Sequence, residues 1–174
     1  MKFAGLLSIA LATTAIAEPI KRALADYQNV FNAISAQVAV VEGVVTNYVG
    51  GSATADDVQD ASDDLSTIIN NGATSISGFA ALTNLEALSL VSPIQTLTGD
   101  VGDLVDAVIA AEPNFIADGR EADVLASLNA QKTGSEAVRD AITPKVPAAL
   151  QDIAADLAQG IVDEIERGIA AYSD

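Results

Sequence analysis

Asp100, Asp103 and Asp106 recur every three residues, and Asp56, Asp60 and Asp63 or Asp64 follow nearly the same rule, so clustered carboxylates are the first chemistry the chain offers. On a helix that spacing gathers them on part of one face. A calcium site would need carbonyl ligands and a loop geometry in addition. A glycosidase pair would need one carboxyl in an apolar cleft with a raised pKa. Most of these acids lie opposite the apolar positions of their segments, the pattern of a solvated acidic face. The chain has no histidine and no cysteine. That removes the Ser-His-Asp triad, the Cys-His pair and ordinary zinc sites together, and no glycine-rich phosphate cradle is present. The expectation is a protein that is not an enzyme and uses neither metal nor cofactor.

One stripe breaks its own pattern. Leu125, Leu128, Lys132, Ser135, Val138 and Ile142 keep helical seam spacing, which sets a lysine and a serine where apolar residues belong. In a secreted lipid binder Lys132 and Ser135 would be candidates to meet a fatty-acid carboxylate. The alternative is a lysine that snorkels to the rim or pairs with an acid on a neighbouring helix.

The elements that must position such a site read as helices throughout. Leu24, Tyr27, Phe31, Ile34, Val38, Val41, Val45 and Tyr48 alternate gaps of three and four until Gly50-Gly51 ends the run. At 1.5 Å per residue this is a rod of about 40 Å. A second helix opens at Thr54, with Asp56 and Asp57 in its first turn, where carboxylates suit the helix dipole. A short apolar piece over Leu82 to Leu90 precedes Ser92-Pro93, which reads as the start of a third long helix ending near Glu112-Pro113. After the linker PNFIADG a fourth helix spans about Arg120 to Ile142, and Thr143-Pro144 caps a last one reaching Tyr172. No segment alternates as a strand does. The expected fold is an all-α antiparallel bundle of four long helices plus one shorter helix. Gly43, Gly72, Gly102, Gly134, Gly160 and Gly168 interrupt these helices at about 1 kcal/mol each relative to alanine. Close helix approach is one reason to keep them, and room for an internal apolar channel is the other.

The start MKFAGLLSIALATTAIA has one charge, an apolar run too short to span a bilayer and an Ala-x-Ala ending. This is the layout of a secretory leader, expected over 1–17, with 18–22 a candidate pro-segment because Lys21-Arg22 resembles a eukaryotic processing site; a fungal source fits. One helical-bundle domain is then expected over 23–174. An oxidising compartment without cysteine leaves stability to packing alone. The formal charge is −16, a surface that repels nucleic acid and anionic headgroups. No N-glycosylation sequon occurs. The ending IERGIAAYSD carries no hydrophobic tail, so the product is expected outside the cell, released or associated with the wall, with no transmembrane segment.

The stretches SPIQTLTGDVGDLVDAVIAAEP (92–113), LNAQKTGSEAVRDAITPKVPAALQDIA (128–154) and IERGIAAYSD resemble the fungal hydrophobic surface-binding protein A family, which includes cell-wall galactomannoproteins. The resemblance implies a secreted helical bundle that is not an enzyme, with some members holding a fatty acid in a tunnel and others adsorbing to hydrophobic surfaces and recruiting polyester-degrading hydrolases. The chain departs from anchored galactomannoproteins in lacking a Ser/Thr-rich stalk. Two functions are therefore expected in competition: a binder of fatty acids or similar lipids in an apolar channel, or a protein that adsorbs to the wall or to hydrophobic surfaces, where secreted hydrolases or host factors would be partners. The seam positions Phe31, Ile34, Val38, Leu65, Ile69, Phe79, Leu97, Leu104 and Leu128 are the expected channel lining, with Lys132 and Ser135 at its polar end.

Overall fold

The computed structural model describes residues 17–173. Of the expected leader only Ala17 falls within them, and there it begins a helix. Five long helices carry the fold: α1 (Ala17–Val49), α2 (Ala55–Gly78), α4 (Val91–Ala110), α6 (Glu121–Ile142) and α7 (Gln151–Ala171). Two of six residues, α3 (Asn84–Ser89) and α5 (Glu112–Ala117), join them. Among the described residues the count is thus five long and two short, against the expected four and one. The stretch expected as the linker PNFIADG forms α5, because Pro113 sits near its first position, where a missing N–H costs nothing. Pro19 likewise stands in the first turn of α1, which reads through the residues expected as a pro-segment.

Local chemistry sets the boundaries. Tyr27, Phe31, Ile34, Val38, Val41, Val45 and Tyr48 are all buried, so the three-four seam of α1 is its inner face. Ala23–Val49 is long and apolar enough by composition to cross a bilayer, yet here that seam is spent on neighbouring helices. The chain turns at Gly51, whose φ of 76° lies in the left-handed region glycine tolerates. Two capping boxes follow. The Thr54 hydroxyl accepts from the Asp57 N–H at 3.2 Å while the Thr54 N–H donates to Asp57 Oδ2 at 2.7 Å, and Thr83 with Glu86 repeats the exchange ahead of α3. Lys145 Nζ donates to the carbonyls of Ser77 at 2.7 Å and Phe79 at 2.8 Å, closing the end of α2. The last long helix starts at Gln151 rather than at Thr143-Pro144. Val146, extended ahead of Pro147, breaks that stretch into two 3₁₀ turns.

Neighbour relations close a ring: α1 packs on α2 and α4, α2 on α6, α6 on α7, and α7 on α4. Its directions differ from the expected antiparallel order. Tyr27 near the start of α1 donates to the Ala80 carbonyl just past the end of α2, and Lys132 pairs with Glu166, so α1/α2 and α6/α7 are antiparallel. The other three contacts are parallel. Gln59 meets Ser127 and Ile69 meets Gly134; Ser35 bonds Asp100; Thr98 lies against Gly160 and Val108 accepts from the Tyr172 hydroxyl at 2.7 Å. The short helices are the cause. α3 and α5 carry the chain across the ends of the bundle, so consecutive long helices are not always adjacent. Gly134 and Gly72 are close-approach sites: a Cβ there would stand 2.8 Å from Ile69 Cγ2 and from Val30 Cγ1 respectively.

Candidate functional site

A ring of five helices leaves space on its axis unless large side chains fill it. Here valine, leucine and isoleucine line a narrow cavity of about 70 Å³, partly open to solvent at its mouth, below the roughly 300–1,000 Å³ that small-ligand sites occupy, so a ligand of that size enters only as the helices part. All five long helices contribute. Phe31, Ile34 and Val38 come from α1, Leu65 and Ile69 from α2, Leu97 and Leu104 from α4, Leu128 and Ser135 from α6, and Ile161 and Ile165 from α7. Phe115 of α5 lies across one end. Its ring stacks on Tyr48 at 4.6 Å between centroids and meets Tyr172 edge-on at 6.4 Å.

Nine of the eleven expected site residues therefore line one cavity. Phe79 and Lys132 do not. Phe79 packs edge-on against Tyr27, with ring centroids 5.0 Å apart, and borders an outer groove between α1 and α2 with Val30 and Gly72. Lys132 turns to α7, its Nζ 2.7 Å from Glu166 and 3.9 Å from Glu136. The hydrogen bond to Glu166 holds its ammonium above the usual lysine range.

The polar lining follows a different register. Gln131 and Ser62 are 6% and 7% exposed and face the cavity. Among the described residues neither side chain has a hydrogen-bond partner, and the same holds for the Ser135 hydroxyl. Both buried positions carried a legible signal: Gln131 falls three residues after Leu128, and Ser62 three before Leu65, each on the inner face of its helix. One turn nearer the starts of α2 and α6, Gln59 Nε2 donates to Ser127 Oγ at 3.1 Å. Beyond that lies Arg120, at the mouth. Its guanidinium binds Asp56 at 2.5 Å and Asp123 at 3.1 Å, so its charge is already matched by two carboxylates. Polar groups thus run inward along the α2/α6 wall from the mouth to Ser135. Past Ser135 that wall continues through Val138 and Ile142.

Comparison with known proteins agrees with this fold. Solved structures share the fold: ligand binding domain 1 of the Penicillium marneffei MP1 protein, complexed with arachidonic acids, superposes with a TM-score of 0.82 at 24% identity over 88% of this chain and all of that one. AFMP4P in complex with palmitic acid superposes with a TM-score of 0.80 at 21% identity, over 86% and 99%. Cell wall mannoprotein 1 of Aspergillus fumigatus is 37% identical over the whole chain, and that of Aspergillus flavus 34%. The chain spans only 61% and 63% of the length of those two relatives. The sequence profile described as hydrophobic surface binding protein A matches residues 24–144, and the chain belongs to that family.

Proposed function

We propose that this bundle is a non-enzymatic carrier that takes one long-chain fatty acid, or a similar lipid, into the cavity on its axis, outside the cell or in the wall. The observation that carries the reading is a nearly apolar cavity whose wall holds Gln131, Ser62 and Ser135 without protein partners among the described residues. The polar atoms of these side chains reach the cavity space and are not sealed from it, so their donors are available to a bound head group. The acyl chain supplies the affinity. At roughly 0.8 kcal/mol per buried methylene, a palmitoyl chain gains on the order of 10 kcal/mol before the costs of association. The ligands bound in the two solved relatives, arachidonic and palmitic acids, support the same class.

Arg120 is not the anchor in this reading, because a third carboxylate beside Asp56 and Asp123 would meet excess negative charge. The amide N–H groups of Gln131 and the serine hydroxyls are donors without a charge, and they hold the carboxyl end while the tail extends toward Ile142.

A second reading has its own observation. Leu85, Leu88 and Ile153 are 76%, 55% and 53% exposed near the α3 end of the bundle, which favours adsorption to a hydrophobic surface, the setting in which secreted hydrolases or host factors would be recruited. Titration with palmitate in solution separates the two. The carrier saturates at a fixed molar ratio, whereas uptake proportional to the area of added apolar beads, with no saturable binding in solution, would favour adsorption.

A further inference from the structure

A second apolar space adjoins the first. A groove of about 30 Å³ lies beneath α3 and the start of α7, open to solvent where the exposed Leu88 and Ile153 border it, and it shares two wall residues, Ile94 and Ile142, with the axial cavity. Both are buried, at 4% and 2% exposure. The remaining wall is hydrocarbon throughout, Leu90, Val146, Leu150 and Leu157 among it, and it is narrowed only lightly at Ala87 and Ala154. No polar side chain borders it, in contrast to the α2/α6 wall of the larger cavity. The two isoleucines thus stand between an amphipathic compartment and a purely apolar one.

Their distance from the polar groups gives this partition a consequence. Gln131 and Ile142 lie on α6 eleven residues apart (142 minus 131), about 16 Å along the helix. That is shorter than a fully extended palmitoyl chain, so a tail whose carboxyl is held at Gln131 brings its methyl end to the Ile94–Ile142 pair. We infer that Ile94 and Ile142 set the chain-length limit of the site, and that the compartment behind them receives the end of a longer chain when either side chain is shortened. The inference rests on the carrier reading above and adds to it the residues that select among acyl chains.

The experiment compares saturated fatty acids from myristate to behenate by displacement of a fluorescent fatty acid, in the unaltered protein and in Ile94→Ala, Ile142→Ala and the milder Ile142→Val, each checked by helical circular dichroism. In the unaltered protein, affinity should rise with length and then level off or fall. In Ile94→Ala and Ile142→Ala the rise should continue for further methylenes, at up to about fourfold per methylene, and Ile142→Val should move the same way by less. Filling the second compartment with Ala154→Leu in the Ile142→Ala background should cancel the gain. An unchanged length profile in folded variants would overturn the partition, as would a gain that survives Ala154→Leu. Failure of the unaltered protein to bind palmitate at all would instead overturn the carrier reading beneath it.

Discussion

Gln131 and Lys132 are consecutive and have opposite surroundings. The inner stripe of α6 must pass from Leu128 to Ser135 in two steps, and steps of three then four or four then three both satisfy helical spacing. Spacing alone therefore leaves residues 131 and 132 equally eligible, and the expectation took the lysine as the odd polar residue. Tertiary context chooses otherwise, since Glu166 on α7 accepts the ammonium at 2.7 Å and leaves the neutral amide to face the cavity. Burying an amide needs a hydrogen-bond partner, and burying an unpaired ammonium costs far more. Gln131→Leu should therefore raise the melting temperature of the ligand-free protein while weakening palmitate binding by about threefold to tenfold, the worth of one or two neutral hydrogen bonds. Lys132→Met should leave palmitate affinity unchanged. Differential scanning fluorimetry and fluorescent displacement check both. Gln131→Leu with undiminished affinity would place the head group elsewhere.

Helix interiors were legible because each uses a continuous seam, as α1 does from Tyr27 to Tyr48, and the cap of α2 was legible at Thr54 because its partner lies three residues on. The arrangement of those helices was not. α3 and α5 are too short for a periodic signal, and whether a six-residue segment is helix or linker depends on what its one or two buried side chains meet, as Phe115 meets Tyr48 and Tyr172. Since these segments decide which long helices become neighbours, the parallel contacts of the ring lay beyond a reading of periodicity. The glycines divide in the same way: sequence offered closeness or room, and only packing assigns each one. A methyl at Gly134 would press on the Cγ2 methyl of Ile69, whereas one at Gly43 meets nothing within 4 Å. Gly43→Ala should stabilise the fold by about 0.5–1 kcal/mol through helix propensity. Gly134→Ala should lower stability by about 1 kcal/mol, because overpacking of about 1–3 kcal/mol outweighs the same propensity gain. Urea unfolding of the two variants side by side measures the difference in sign.

At the scale of the whole molecule, all three tyrosines are buried at the ends of the bundle and report on its integrity. Burial, with the charge of Glu86, pushes Tyr27 up to about 12, and burial with the Asp118 hydrogen bond does the same to Tyr48. Tyr172 is raised further, chiefly by burial. The folded protein thus prefers the neutral phenol. The stabilisation is complete below the ordinary tyrosine pKa near 10 and is lost as pH rises through about 12. Far-ultraviolet circular dichroism against pH should accordingly stay flat from neutral to about pH 10 and collapse above it, in step with tyrosinate absorbance. Tyrosinate appearing at pH 10 in a still-folded protein would contradict the packing described for Tyr27, Tyr48 and Tyr172. On the acid side Asp57, held below the usual carboxylate range by its hydrogen bonds to Thr54, contributes capping that is lost only as pH falls through that lowered pKa.

The ring of five helices matters to function only if its axial space holds a ligand, and native mass spectrometry of the secreted protein, before and after solvent extraction, tests that directly. The carrier reading predicts a mass excess equal to one fatty acid or similar lipid per chain, lost on extraction and regained on incubation with palmitate. A bare mass that stays bare in excess palmitate, with the helical circular dichroism intact, would contradict it.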